Sequence, residues 1–186
     1  MNNLLVNETM KSILDRRSIR TYKDAQISEK KRDTILKAAL QAPSARNAQP
    51  CQVRVVQNRE MMKELNSDLV EYSLKNSGRP GPFGPDYSFY HNAPTFIFIF
   101  GDSSNAWSPV DSGIMVENMA LAAHSVGLGS VIIGMCNPIF QTEVRDKWRE
   151  ILKVPEGYEL VVSIAIGEKA IDPDPKPRDE SRFMLF

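Results

Sequence analysis

The sequence has few of the residues that mark several common protein classes. Among 186 residues there are two cysteines, Cys51 and Cys136, which are too few for a disulfide framework. There are only two histidines, and the four Cys and His residues do not show metal-ligand spacing. The longest apolar runs, residues 96–100 and 160–166, are far shorter than the roughly 20 residues of a membrane-spanning helix. We therefore expect no metal site and no membrane span.

Net charge is also absent, because 23 Lys and Arg residues balance 23 Asp and Glu residues. Such a chain has no overall field that attracts nucleic acid or an anionic membrane. Residues 1–6 also lack the charged region and the apolar stretch of a signal peptide. We expect no nucleic-acid partner, no membrane partner and a cytoplasmic location.

The amino-acid composition is typical of a folded domain, with 42 % hydrophobic and 25 % charged residues. The length suits a single domain over residues 1–186. Segments with helical apolar spacing are interleaved with about four strand-like segments, including residues 95–100 and 158–166. This alternation predicts an α+β fold.

Capping residues predict where several helices begin and end. Asn7 and Ser28 are expected to cap the first two helices, and Pro43 ends the second. A later helix, at about residues 110–126, is expected to end at Gly127 or Gly129. Its predicted inner side carries Ile114, Met115, Asn118, Leu121, Ala122 and Ser125. A further helix is predicted to start at Asn137 and to continue to Ile151.

Basic residues cluster near both ends of the sequence. Arg16, Arg17 and Arg20 surround Ser18, and guanidinium groups with a hydroxyl match the hydrogen-bonding pattern of phosphate. Lys176 and Arg178 lie in a tail that three prolines hold extended. Taken alone, an arginine cluster of this kind is usually solvated surface charge or charge at a helix C-terminus, and the two basic residues of the tail alone indicate an ordinary charged tail.

Two further segments contain small residues that let another group approach the backbone. In residues 43–50, Pro-Ser-Ala-Arg-Asn-Ala-Gln-Pro, both Ser44 and Asn47 can donate hydrogen bonds. The alternative is a connector in which they stabilise their own turn. In residues 127–134 a glycine-rich turn leads into a strand, which suits a cavity for a planar ring. There the alternative is an ordinary helix end.

Taken in this order, the four segments resemble the FMN-dependent nitroreductase family, and the resemblance extends from Arg16 to Arg178. It implies a three-layer sandwich with a mainly antiparallel sheet flanked by helices. It also implies an intertwined homodimer, in which residues 168–186 form a C-terminal extension that packs on the partner subunit.

The resemblance also implies the cofactor, FMN, and its contacts. Arg20 matches the position that faces the flavin pyrimidine edge, where a fixed cation stabilises the charge of the reduced ring. The backbone near Ile133 and Gly134 matches the donor to flavin N5. The positions that match those holding the FMN phosphate are Arg16, Arg17, Ser18, Lys176 and Arg178. The predicted cofactor contacts from the loop that reaches the other subunit's flavin are Pro43, Ser44, Ala45, Asn47 and Gln49.

The substrate pocket is less well marked in the sequence. Cys51 stands where the family commonly has tryptophan, so the wall near the ring is expected to differ in shape. The aromatic residues Phe83, Tyr87, Phe89 and Tyr90 follow a loop rich in glycine and proline, and they are predicted to form a pocket lid. They can equally belong to the core.

The activity implied by the resemblance is reduction of nitroaromatics, quinones or similar small electrophiles by NADH or NADPH. Hydride passes through flavin N5 in a ping-pong sequence, and no catalytic side chain is needed. The alternatives are a non-enzymatic flavin-binding or storage protein and a specialised member such as a dehalogenase. A thiol enzyme would have to pair Cys51 or Cys136 with His91 or His124, although buried cysteines are commonly small apolar fillers.

Overall fold

In the part of the chain that the structure describes, the helices pack around one antiparallel sheet of four strands. The computed structural model describes residues 4–76, 87–184 and 186. The strands are β1 (Cys51–Val56), β2 (Thr95–Asp102), β3 (Gly129–Ile133) and β4 (Tyr158–Gly167). Their order across the sheet is β1-β2-β4-β3, so β2 and β4 lie at the centre. The predicted α+β fold and its four strands are confirmed.

Helices cover both faces of the sheet, as the alternation of β2 requires. Their bounds are α1 (Glu8–Asp15), α2 (Glu29–Leu40), α3 (Arg59–Asn76), α4 (Ser108–Ser125) and α5 (Arg145–Ile151). Phe96, Phe98 and Phe100 lie in a core with side chains of α3 and α5. Ile97 and Ile99 belong to a second core with α2 and α4. The architecture is therefore a three-layer sandwich.

The helix ends largely follow the caps expected from the sequence. The Asn7 side chain accepts a hydrogen bond from the Met10 amide at 3.0 Å, and Ser28 accepts one from the Lys31 amide at 3.4 Å. The helix predicted from Asn137 to Ile151 is wrong, because the chain forms a 3₁₀ turn, Asn137–Gln141, before α5. Between the two, Thr142 is extended, which breaks the helix. None of the described helices is long and apolar enough to cross a membrane.

The inner side predicted for α4 is also wrong. The residues of α4 that are buried against the sheet include Val116, Met119 and Ala123, whereas Ile114 is 36 % exposed. Apolar residues occur around most of this helix, so their spacing alone did not identify the face that packs on the sheet. The face that carries Ile114 is left partly uncovered in the protomer.

The segment after α1 runs along the free edge of β3. Ser18 pairs with Ser130, and the Ile19 amide donates to the Ser130 carbonyl at 2.9 Å. A little further on, Tyr22 pairs with Lys169, just after the end of β4. These two bridges bring residues 16–20, which we call the N-terminal basic segment, and the start of the C-terminal tail to the same side of the molecule.

Candidate functional site

A cavity of about 250 Å³ lies where the N-terminal basic segment meets the proline-rich tail, and we call it the basic cavity. Six of the predicted cofactor-binding residues line it: Arg16, Arg17, Ser18, Arg20, Lys176 and Arg178. A neighbouring cavity of about 460 Å³ shares four of their side chains and adds the apolar Ile13 and Leu14. The fold therefore brings together the basic clusters from the two ends of the sequence.

The first two arginines are tied to the helices around the basic cavity. Arg17 Nη1 donates to the carbonyl oxygens of Leu14, at 2.5 Å, and Arg16, at 3.0 Å, and so caps the end of α1. Arg16 Nε lies 3.5 Å from Glu117 Oε1 on α4. These contacts fix the start of the basic segment against α1 and α4.

The cations on the other side of the basic cavity have few contacts. Within the described part of the chain, Lys176 and Arg178 have no ion-pair or hydrogen-bond partner, and both are exposed. Among the described residues, the hydrogen-bond contact of Arg20 is a long one, 3.4 Å, to the Ser18 carbonyl oxygen. Asp174 is the acidic residue among those that line the basic cavity. Positive charge is therefore in excess, as an anion site requires.

Gly129 lets the basic segment pack closely against the edge of β3. A Cβ atom at Gly129 would lie 2.7 Å from Ile19 Cγ1 and 2.8 Å from Ile19 Cβ, too close for any side chain. Ile19 is buried, and it sits in the middle of the basic segment. From the sequence, this turn was predicted either to lie beside a cavity for a planar ring or to end a helix, and Gly127 ends the helix with a φ of 77°. Spacing along the sequence does not reveal such a contact with a distant residue.

Ile133 is the last residue of β3, and Gly134 follows it. Ile133 comes three positions after Ser130, a distance of about 10 Å in an extended strand. Ile133 is buried and Gly134 is exposed, with no atom within 4 Å of the position that a Cβ would take. The backbone here is therefore open to a flat group that extends along β3 from the basic cavity.

The loop between α2 and β1 does not join the basic cavity within one protomer. Pro43, Ser44 and Gln49 instead line a separate cavity of about 200 Å³, together with Cys51 and Asp111. We call it the loop cavity. Ala45 donates its amide to Asp111 Oδ1 at 3.3 Å. Nothing in the sequence pattern marks Asp111, since acidic residues are common in the first turn of a helix.

The backbone of this loop is strained. The non-glycine residues Arg46, Asn47 and Gln49 have φ values of 57°, 55° and 49°, in the left-handed region. The Gln49 amide donates to Ser44 Oγ at 2.9 Å and so holds the turn closed. Strain of this kind is typical of loops that bind ligands.

The aromatic residues predicted for the lid differ in their location and burial. Phe89 and Tyr90 lie in the core, where the Phe89 ring packs edge-on against Phe96 at 5.4 Å, so the core alternative is correct for both. Tyr87 is half-buried, and its hydroxyl lies 3.2 Å from the sulfur of Met135, next to Gly134. Phe83 lies outside the described residues.

The cysteines are poor nucleophiles in this structure. Burial raises the pKa of the Cys136 thiol to about 12, and the thiol is hydrogen-bonded to Ser163 at 2.9 Å. Burial also raises the pKa of Cys51 and lowers the pKa of His91 and of His124. Protonated thiols and neutral imidazoles do not form an activated ion pair, which disfavours a thiol enzyme.

Comparisons with known proteins show which family the chain resembles. The model of the nitroreductase family matches residues 13–168. A protein of Archaeoglobus fulgidus assigned as an NADH dehydrogenase/NAD(P)H nitroreductase is 34 % identical over 184 residues, which cover 96 % of this chain and 90 % of that one. The NADPH-flavin oxidoreductase of Vibrio harveyi is 31 % identical over 185 residues, covering 93 % and 70 % of the two chains.

A solved structure shows that the fold of this chain is also similar to that of a known protein. The crystal structure of a nitroreductase with bound FMN from Desulfitobacterium hafniense is similar to this chain with a TM-score of 0.90. The two are 29 % identical, and the alignment covers 98 % of this chain and 100 % of that one. The family match from residue 13 to residue 168 includes all four strands of the sheet. The chain belongs to the nitroreductase family.

Proposed function

We propose that the protein is an FMN-dependent oxidoreductase that uses NADH or NADPH to reduce nitroaromatics, quinones or similar small electrophiles. The observation that carries this proposal is the basic cavity. The FMN-bound nitroreductase of the same fold and the NADPH-flavin oxidoreductase relative support it. When bound, FMN supplies the two-electron chemistry by taking a hydride at N5 from the nicotinamide and passing it to the acceptor.

The residues around the basic cavity fit the phosphate of FMN. Five side chains there are cationic, and the Ser18 hydroxyl adds a neutral donor. A phosphate monoester carries a charge of about −2 near neutral pH, which offsets part of the excess. We assign the phosphate contacts to Arg16, Ser18, Lys176 and Arg178, and we assign Arg17 to the support of this group through its cap on α1.

The direction of β3 would orient the rest of the cofactor. A ring that extends along β3 from the Ser18–Ser130 bridge would lie beside Ile133 and the open backbone of Gly134. Arg20, which lines the basic cavity, is assigned to the pyrimidine edge. The protein would then bind and orient the flavin and place a fixed positive charge beside its ring, while the protons for the reaction come from solvent.

A second copy of the chain is part of the proposal. Exposed apolar side chains occur on α1, α2 and α4, including Leu14 (45 % exposed), Leu40 (71 %) and Ile114 (36 %). Phe183 in the tail is 73 % exposed. A homodimer that covers these surfaces removes them from water. It also lets residues 168–186 lie on the partner, with Pro43, Ser44, Ala45, Asn47 and Gln49 facing the partner's flavin.

Reduction of the bound flavin tests the proposed reaction directly. We expect anaerobic addition of NADPH or NADH to bleach the flavin absorbance of the FMN-loaded protein. Subsequent addition of a nitroaromatic or a quinone is expected to restore it, because in a ping-pong reaction each half proceeds without the other substrate. A protein whose flavin stays oxidised with both nicotinamides would instead be a flavin-binding protein.

The separate roles of Arg16 and Arg20 give a second test. Arg20→Ala is expected to lower the flavin reduction potential while FMN is largely retained, because it removes a cation from the ring. Arg16→Ala is expected to weaken FMN binding about tenfold or more, since a charge-assisted hydrogen bond contributes roughly 1.5–3 kcal/mol. Fluorescence titration and redox titration measure the two effects. Equal loss of FMN in both variants, with no change of potential, contradicts the assignment.

A further inference from the structure

Met135 lies in a turn that directly follows the open backbone of Gly134. The Asn137 amide donates to the Gly134 carbonyl oxygen at 3.2 Å and closes this turn. The next residue, Cys136, is fully buried, and its thiol is hydrogen-bonded to Ser163 at 2.9 Å. The backbone of Met135 is therefore held at the end of β3, beside the position proposed for the flavin ring.

The side chain of Met135 is exposed, and its sulfur is held by a hydrogen bond. Met135 is 46 % exposed, and the Tyr87 hydroxyl donates to its Sδ atom at 3.2 Å. Burial raises the pKa of Tyr87, so the phenol stays protonated at neutral pH and remains a donor. A thioether sulfur has two lone pairs, and one hydroxyl engages one of them. A flexible side chain is thus fixed with the other side of its sulfur open to a small molecule.

An exposed thioether is a target for hydrogen peroxide. The sulfur gives two electrons to the peroxide and bonds to one of its oxygen atoms, while the O–O bond breaks and the second oxygen leaves as water. In air, O₂ is an alternative acceptor for the proposed reductase, since two electrons from the nicotinamide and two protons convert it into hydrogen peroxide. Peroxide made in this way is most concentrated at the flavin ring, where Met135 lies.

We propose that Met135 is a modification site, at which hydrogen peroxide formed at the flavin converts the thioether into a sulfoxide before the peroxide leaves the site. The proposal rests on the proposed function, because it needs a flavin ring beside Gly134. The sulfoxide is chiral. Because the Tyr87 hydroxyl occupies one side of the sulfur, the oxygen is added to the other side and one epimer dominates.

Met184 offers a comparison within the same chain. Among the described methionines it is the other exposed one, at 75 %, and it lies in the C-terminal tail. Met62 and Met119 are buried. Exposure alone favours oxidation of Met184 over Met135, so reagent peroxide is expected to modify Met184 more. Peroxide that forms at the flavin is expected to favour Met135.

Peptide mass spectrometry of the FMN-loaded protein measures the sulfoxide at both residues. One sample turns over NADPH in air without another acceptor, and catalase destroys the peroxide that escapes. A second sample receives reagent peroxide without NADPH or catalase. We expect the ratio of Met135 sulfoxide to Met184 sulfoxide to be about tenfold or more higher in the first sample. Equal ratios, or O₂ consumption that leaves Met135 unmodified, would overturn the proposal.

The epimer of the sulfoxide reports on the contact with Tyr87. Two classes of methionine sulfoxide reductase each act on one epimer. One class is expected to repair most of the Met135 sulfoxide in the wild type, and Tyr87→Phe is expected to make both classes necessary. The control Tyr158→Phe removes a hydroxyl at the start of β4 and is expected to keep the single epimer. An equal mixture of epimers at Met135 of the wild type contradicts the role of Tyr87.

Reduction without a nicotinamide separates this proposal from the reductase function. Anaerobic illumination with EDTA reduces bound FMN, and air is then admitted in the dark over repeated cycles. Oxidation of Met135 in a protein whose flavin neither NADH nor NADPH bleaches would support the modification site and refute the reductase. Bleaching by NADPH with Met135 unmodified under both treatments would do the opposite.

Discussion

Replacing Lys176 and Arg178 together with alanine is expected to lower the affinity of the protein for FMN by a factor of about 100 or more. Each side chain is assigned a charge-assisted hydrogen bond to the phosphate, and the loss of such a bond costs roughly 1.5–3 kcal/mol. Both residues are exposed and have no partner within the described residues, so the free energy of unfolding without FMN is expected to change little. Fluorescence titration and thermal unfolding of the apoprotein measure the two quantities.

A matched control separates a local contact from a general effect of charge. Lys30 and Lys37 are exposed on α2, so replacing both with alanine removes the same charge outside the basic cavity. This control variant is expected to keep wild-type affinity at moderate salt, where distant exposed charges are screened. Similar losses of FMN affinity in the two double variants would argue against a phosphate site at the tail.

Gly129→Ala is expected to damage the flavin site without altering any residue that touches the flavin. The new methyl group would collide with the buried Ile19 side chain, and overpacking of this kind typically costs 1–3 kcal/mol of folding stability. Relief of the collision moves the basic segment away from β3, so Arg16, Ser18 and Arg20 shift together. We expect FMN affinity to fall at least tenfold, and thermal unfolding of the apoprotein to occur at a lower temperature.

The matching control is Gly113→Ala. Gly113 lies within α4, and no atom is within 4 Å of the position that its Cβ would take. Alanine there is expected to keep FMN affinity and to raise stability by up to about 1 kcal/mol, because alanine favours helices more than glycine does. Normal FMN affinity in Gly129→Ala would show that the basic segment does not depend on its contact with β3.

The elements that the sequence predicted well are those set by local chemistry. Asn7 and Ser28 cap helices because their side chains reach amides three residues ahead, and the separation involved is short. The strands were predicted from β-branched and apolar runs, such as the run that forms β2. The basic cavity was expected because two charged motifs occur in an order typical of a known family.

The features that the sequence did not predict depend on residues far apart in the chain. Gly129 is needed because of Ile19, and Asp111 matters because Ala45 and an apolar cavity lie beside it. Apolar residues occur around most of α4, so their helical spacing does not show which face is buried. For this reason the side that carries Ile114 was wrongly predicted to be the inner one. Nor does aromatic content distinguish a lid from a core residue such as Phe89.

The residues that form the two sides of the basic cavity are far apart in the sequence, because residues 16–20 precede β1 whereas Lys176 and Arg178 follow β4. This separation bears on the order in which the protein folds. Joining segments so distant is entropically unfavourable, and the sheet brings them together through the bridges Ser18–Ser130 and Tyr22–Lys169. We therefore expect the cavity to form only after β3 and β4 have paired. A phosphate bound there is then expected to slow unfolding and to leave the rate of folding unchanged.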